Sequence, residues 1–257
     1  MAATENAGAL RQIVHWFGVA MLAVTSCVAH GQGGPPLVTD DPGTPGDGHW
    51  EINLAAIAQT VEGVRTLALP DADINYGLGD RIQLKLDVPL TFAREPDGHI
   101  TAGPGTSELG VKWRFIDGGE SGPSVSTYPQ FIFGWNVATT KRGIAEPGHQ
   151  YFLPIEVTTP VGKFTMDGEL GRNFTTVGPD QWLAGLILAR DCREGTECMA
   201  EVHEIISSQG NATLLNLGLR HDINKSVRLL MATGYEFGPA GADPRHLLIY
   251  AGFQLLR

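Results

Sequence analysis

The stretch DRIQLKLDVPL, Asp80 to Leu90, decides the fold. Ile82, Leu84, Leu86, Val88 and Leu90 occupy alternate positions, and Arg81, Gln83, Lys85 and Asp87 lie between them. Successive side chains of an extended strand point to opposite faces, so one face here is wholly apolar and the other is charged apart from Gln83. A helix would scatter both sets around its axis, so the segment predicts a strand between two very different environments.

The device recurs. In SELGVKWRF (107–115), Leu109, Val111, Trp113 and Phe115 oppose Glu108, Gly110, Lys112 and Arg114. Around NLGLR (216–220), Leu215, Leu217 and Leu219 oppose Asn216 and Arg220, and LLIYAGFQLL (247–256) alternates likewise. Marking every such run predicts twelve strands: 49–60, 65–77, 80–94, 105–116, 124–135, 151–159, 162–173, 180–190, 197–208, 211–221, 226–237 and 245–256. Strands of ordinary sheets average about five or six residues, whereas a tilted strand crossing a bilayer needs about nine to eleven. Most of these runs have the longer length, which predicts an all-β fold: one closed antiparallel transmembrane β-barrel spanning 49–257.

Energetics then orients the faces. A Lys or Arg on the lipid face near the midplane costs about 2–4 kcal/mol, so the charged faces turn inward. The expected lumen lining is Arg81, Lys85, Asp87, Lys112, Arg114, Glu156, Glu169 and Glu201, with Glu51, Glu108, Asp167, His203 and Arg220 beside them in an interior of mixed charge. Long connections at 95–104 and 136–150 and a medium one at 238–245 alternate with tight ones such as GLGD, TPVG and DINK, the pattern of outer loops and periplasmic turns, with the outer links 61–64 and 208–211 as short exceptions. Trp50, Tyr76, Trp113, Phe115, Trp135, Tyr151, Trp182 and Tyr235 fall near strand ends, where interfacial girdles form. Pro89 and Pro154 sit inside two runs and each removes a ladder donor, which predicts bulges or different strand limits there.

Composition narrows the class. The chain has 257 residues, a formal charge of −10, 42% hydrophobic and 18% charged residues, 33 Gly and 16 Pro. An acidic chain without clustered Lys and Arg excludes a nucleic-acid partner. The run IVHWFGVAMLAVTSCVA (13–29) reads as a secretory signal, giving a leader over 1–31 and a periplasmic N-terminal segment over 32–48. Processing at Cys27 as a lipoprotein, or retention as a short membrane helix, are the alternatives. Cys192 and Cys198, close together in an exported chain, predict a disulfide.

The blocks LVTDDPGTPGDGHWEINLA, INYGLGDRIQLKLDVPL, GVKWRF, NLGLRHDINKSVRLLMATGYEFG and YAGFQLL resemble the bacterial outer-membrane barrels grouped as transporter-like proteins of the phenol meta-pathway family. The likeness runs from about Leu37 to Leu256, and its first block is the most specific. It implies an outer-membrane location and passage of small molecules, aromatic or apolar ones among them. The chain departs from the usual terminal aromatic by ending Leu255-Leu256-Arg257, with Phe253 and Tyr250 as substitutes.

Catalytic chemistry finds little footing. Ser121 in GESG lacks the spacing of a nucleophile elbow and stands in a turn, so no enzyme is expected. Glu201 and His203 share one strand face and could hold a metal, but they fit an internal salt network better; neither metal nor cofactor is expected. Asp40, Asp41 and Asp47 lack the spacing of an EF-hand loop. Asp40 and Asp41 either solvate the N-terminal segment or fold back onto lumenal Lys and Arg as a plug. Lys141 and Arg142 could attract anionic solutes or lipopolysaccharide, or simply solvate a loop. The expected partners are outer-membrane lipid and lipopolysaccharide, small solutes, and the barrel-assembly machinery during biogenesis. The leading reading is a channel or facilitator; its rivals are a soluble periplasmic barrel binding an apolar ligand and a plugged structural barrel without transport.

Overall fold

The computed structural model describes residues 34–61, 64–119, 121–238 and 247–257. The expected leader over 1–31, with its alternative processing at Cys27, lies outside them. Fourteen strand segments follow in chain order: β1 (Trp50–Val61), β2 (Val64–Leu78), β3 (Ile82–Arg94), β4 (Ile100–Pro104), β5 (Thr106–Ile116), β6 (Ser124–Thr127) and β7 (Gln130–Gly134), then β8 (His149–Val161), β9 (Phe164–Thr175), β10 (Gln181–Arg193), β11 (Thr196–Ser207), β12 (Gly210–Asn224), β13 (Val227–Phe237) and β14 (Leu247–Leu256). Among the described residues one short helix, α1 (Val137–Lys141), stands between β7 and β8. It is capped by Asn136, whose side chain accepts from the Thr139 amide.

Every strand pairs antiparallel with its neighbour, and β14 returns to β1 with Glu51 opposite Leu256 and Leu54 opposite Phe253. At the seam Trp50 N–H donates to the Arg257 carbonyl at 2.7 Å and Arg257 N–H to that of Trp50 at 2.9 Å. β4 and β5 lie end to end along β3, and β6 and β7 lie end to end between β5 and β8. The fourteen segments therefore make a closed barrel of twelve staves. Closure leaves no free edge whose amides would need water inside a bilayer.

The two breaks have a physical cause in the prolines. Pro89 has no N–H, and it lies in β3 at the level where β4 gives way to β5; its carbonyl instead accepts from the Gly105 amide at 2.9 Å. On its other side Pro89 faces Asp71, where β2 bulges between Ala68 and Asp71. Pro154 of β8 stands opposite the Tyr128–Pro129 interruption between β6 and β7, and its carbonyl accepts from the Thr127 hydroxyl at 2.8 Å. The ladder is interrupted where it would have lacked a donor. Two expected limits change accordingly: the strand at 105–116 gains β4, which shortens the expected loop 95–104 to 95–99, and the strand at 124–135 is two pieces.

Burial alternates along most staves, as in β12, where Leu214, Asn216 and Arg220 are buried while Leu215 and Leu217 are 47% and 64% exposed. The outward faces are Leu, Ile, Val, Phe and Trp left open to the surroundings, a girth of apolar surface far larger than a soluble monomer carries. Aromatics gather at both ends. Trp50 packs on Tyr76 at 4.7 Å and Trp113 on Phe115 at 5.5 Å at the end holding the tight turns. Phe131, Phe133, Trp135, His149 and Tyr151 form a chain at the other, and Tyr235 packs on Phe237 at 4.8 Å at that same end across the barrel.

Candidate functional site

Inward alternation builds the wall of the site. Asp73 of β2, Asp87 of β3 and Glu108 of β5 lie abreast on one rung, and Lys85 reaches Glu108 at 3.5 Å and Asp73 at 3.9 Å. A network of amides continues from Asp73 through Asn53 (3.1 Å) and Asn75 (3.0 Å) to Gln83 (2.8 Å from Asn75). Lys112 is 2% exposed, 3.8 Å from Glu156 and 4.8 Å above the Tyr128 ring. Glu156 accepts from the Ser126 hydroxyl at 2.5 Å, and Asp167 from that of Thr158 at 2.6 Å. Opposite them Glu201, His203, Asn216 and Arg220 are buried on β11 and β12.

Part of the wall is apolar. Ala55, Ile187, Ala189, Met199, Leu230, Ala232 and Tyr250 cluster inside the barrel with Leu37, and Ile57 packs against them. The interior of mixed charge therefore also has an apolar sector. The signal was present: in WLAGLILA (182–189) and LLMA (229–232) both faces are apolar, and alternation disappears.

The segment 34–47 runs through this lumen from one wall to the other. Glu201 accepts from the Val38 amide at 3.1 Å and the Thr39 amide at 2.6 Å, and is steadied by Asn216 at 3.1 Å. Arg220 donates to the Pro35 carbonyl at 2.9 Å and the Gly34 carbonyl at 3.3 Å while pairing with Glu197 at 3.4 Å. Across the bore Lys112 pairs with Asp40 at 2.8 Å and donates to the Asp41 carbonyl. Thr39 fits against β10 only because residue 185 is Gly: a Cβ there would fall on the Thr39 side chain. Thr44 then donates to the Asp80 carbonyl at 2.9 Å, and Asp47 accepts from the Gly79 amide at 2.9 Å, bringing the chain to the rim before β1. Between the segment and the wall, a space of about 30 Å³ bounded by Asp40, Asp41, Asp73, Lys85 and Lys112 remains. That is room for water and not for an organic solute.

Burial raises the Asp41 carboxyl above its usual range, and repulsion by Asp40 adds to this; Lys112 and Arg220 only partly offset it. Burial pushes Asp40 the same way, but Lys112, Lys85 and the hydrogen bond from Lys112 outweigh it and hold Asp40 below the usual range.

Of the residues expected to line the lumen, Lys85, Asp87, Lys112, Glu156, Glu169 and Glu201 lie on inward faces. Arg114 stands at the rim, donating to the Asp80 carbonyl at 2.7 Å and pairing with Asp117 at 3.3 Å. Arg81 is a correction: it belongs to the turn 79–81 and is exposed at the barrel end, because the chain reverses there before β3 begins. Cys192 and Cys198 form a disulfide across the β10–β11 hairpin, with Cα atoms 5.8 Å apart. Lys141 and Arg142 sit at the end of α1, exposed, with Arg142 donating to the Ala138 carbonyl at 3.0 Å. Among the described residues no group of three His, Cys, Asp or Glu is placed to hold a metal ion.

A closed twelve-stranded barrel, apolar outside, polar inside and girdled by aromatics, has the fold of bacterial outer-membrane β-barrels. No family model and no curated protein matches the chain. Among solved structures it is similar to an outer-membrane channel from Pseudomonas putida F1 (12% identity, TM-score 0.64, covering 86% of this chain and 100% of that one). It is also similar to the KdgM porin (9%, 0.58, 80% and 98%) and the NanC porin (6%, 0.58, 79% and 98%).

Proposed function

We propose that the chain is exported by its leader to the bacterial outer membrane, inserted by the barrel-assembly machinery, and acts there as a channel for small molecules whose bore is gated by its own N-terminal segment. The observation that carries this reading is the segment 34–47, tied to opposite walls by Glu201, Arg220 and Lys112. Apart from Leu37 in the apolar cluster, the ties of the segment are polar, and polar ties beside a water-sized space can exchange with water, so the segment can leave without unfolding the barrel. Asp40 and Asp41 are the plug residues of this reading. Lys85, Asp87, Lys112, Glu156, Glu169 and Glu201 then set the field along the bore once it opens.

Small aromatic or otherwise apolar compounds are the proposed cargo. Two things favour them: the resemblance of the sequence blocks to the phenol meta-pathway family, and the lumenal cluster around Ile187, Met199, Leu230 and Tyr250. That cluster would give an apolar solute a surface to follow where the polar rungs would hold water.

Deleting residues 37–47 is expected to raise single-channel conductance in planar bilayers several-fold over the intact protein, and to speed phenol flux into proteoliposomes. Equal conductance would remove the gate from the account. Silence from both proteins, with no solute flux, would leave a structural barrel.

A further inference from the structure

The outer wall carries one place where charge and shape disagree with a plain lipid face. At the end of the barrel that holds the longer loops, Arg65 of β2 and Arg94 of β3 are cross-strand partners, and both are exposed. Their face is fixed by their neighbours: Thr66 pairs with Ala93, which is 1% exposed and turned to the lumen, so Arg65 and Arg94 turn outward. Like charges directly opposed on a sheet destabilise it. Other guanidiniums of the outer wall are engaged: Arg172 pairs with Asp180 at 3.3 Å and lies over the Trp182 ring, and Arg190 lies over the Phe164 ring. Among the described residues Arg65 and Arg94 have no carboxylate and no ring.

Beside and below them is a groove of about 340 Å³, walled by Leu67, Phe92, Leu247 and Ile249. Its floor is low because Ala58 stands between Leu67 on β2 and Ile249 on β14, so the rung has large side chains on both flanks and a methyl in the middle. Two forked cations at the upper rim of an apolar trough form a surface with two demands. The guanidiniums call for an anion that each can hold with paired N–H donors, and phosphate has that geometry. The trough calls for a hydrocarbon chain attached to it.

We infer that this groove is a binding site for a phosphorylated, acylated lipid of the outer leaflet, the lipid A part of lipopolysaccharide, with its phosphate bridging Arg65 and Arg94 and an acyl chain lying over Ala58. The inference rests on the outer-membrane reading above, because it places the long-loop end of the barrel at the outer leaflet. The bound phosphate converts the repulsion of the two arginines into a shared attraction, and the chain fills a hollow that mobile lipid would fill poorly.

The test uses the full-length protein in detergent, with fluorescent lipid A as probe and phosphatidylethanolamine, deacylated lipid A and inorganic phosphate as competitors. The paired substitution Arg65→Gln and Arg94→Gln is expected to weaken lipid A binding at least about tenfold, the loss of a charge-assisted hydrogen-bonded pair. Ala58→Trp, which fills the hollow without touching the arginines, should weaken it as well, and Arg190→Gln should leave it unchanged. Faster gel mobility of the unheated sample shows that each variant is folded. The inference is overturned if the folded double variant binds lipid A as tightly as the parent. It is equally overturned if Ala58→Trp binds unchanged, or if deacylated lipid or inorganic phosphate competes as well as lipid A. An epitope placed at 97 tests the underlying reading separately: reached by antibody on intact cells, it keeps the orientation; unreached, it removes that orientation whatever the lipid result.

Discussion

Lys112 is the residue on which most of the lumenal electrostatics converges. It is buried, it meets Asp40 and Glu156, and it lies over Tyr128. Taking away one partner of a buried ion pair is far more costly than the pair is worth, about 3–5 kcal/mol, because the carboxylate left behind is buried without its opposite charge. The barrel's ladders do not depend on Lys112, so Lys112→Met is expected to loosen the 34–47 segment rather than the wall. A loss of about 3 kcal/mol of docking raises the undocked population roughly a hundredfold. The labelling rate of a cysteine introduced at Thr39 by a polar thiol reagent measures this; an unchanged rate would show that the Lys112 pair does not hold the segment.

The two acids of the segment respond to pH in opposite senses. Asp40 is held below its usual range when docked, so its contribution to docking is complete at neutral pH and is lost as pH falls through that lowered value. Asp41 is raised when docked, chiefly by burial, so its ionised form opposes docking at neutral pH and that opposition fades on acidification. Asp40, Lys112 of β5 and Arg220 of β12 act on it most strongly, and the carboxyls of Glu51 of β1, Glu156 of β8, Asp167 of β9 and Glu197 of β11 also face its charge. Asp41→Asn keeps an oxygen to accept from the Gly43 amide. It is expected to tighten docking at pH 7, with the advantage shrinking as pH falls toward the carboxylate range. The same labelling assay, run across pH, checks the sign.

At the scale of the element, each stave was legible where its two faces contrast. β3, β5 and β12 alternate apolar with polar over whole turns of the ladder, and the structure places them with the apolar side outward. Leu217, at the middle of β12 and 64% exposed, is the position where that outward face has most to lose. Leu217→Arg is expected to cost about 2–4 kcal/mol if the midplane is lipid. Urea unfolding from lipid vesicles would record it, and a cost near zero would mean that this face meets water. Two things were not legible at this scale. The end-to-end pairs β4 with β5 and β6 with β7 break where a proline of the stave itself, Pro104 or Pro129, comes level with one of its neighbour, Pro89 or Pro154, and that coincidence is set by register across the ladder. β10 and β13 are apolar on both faces at their centres, so alternation could not say that Ile187, Ala189, Leu230 and Ala232 look inward.

For the whole molecule, the local pattern was sufficient to set the class. Twelve long runs, most of them alternating with charge on one face, admit few resting places other than a closed barrel in lipid, because an open sheet would leave unpaired amides in hydrocarbon. The twelve staves and their outward faces follow from that pattern of adjacent side chains, whereas the breaks within two of the staves do not. The path of residues 34–47 does not. TDDPGTPGDG has no period, and its only instruction is that it is stiff and acidic. Whether it leaves the barrel or threads it depends on Glu201, Lys112 and Arg220, up to 186 residues away in the chain, and on the gap that Gly185 leaves for Thr39. Likewise Arg65 and Arg94 are unremarkable in sequence and become a pair only through the register of β2 on β3. Alternation is a property of neighbours along the chain, so the sequence alone determined the barrel and the two chemistries of its wall. Occupancy of the bore and juxtaposition on the wall are properties of groups brought together by closure and register, and only the tertiary structure decided them.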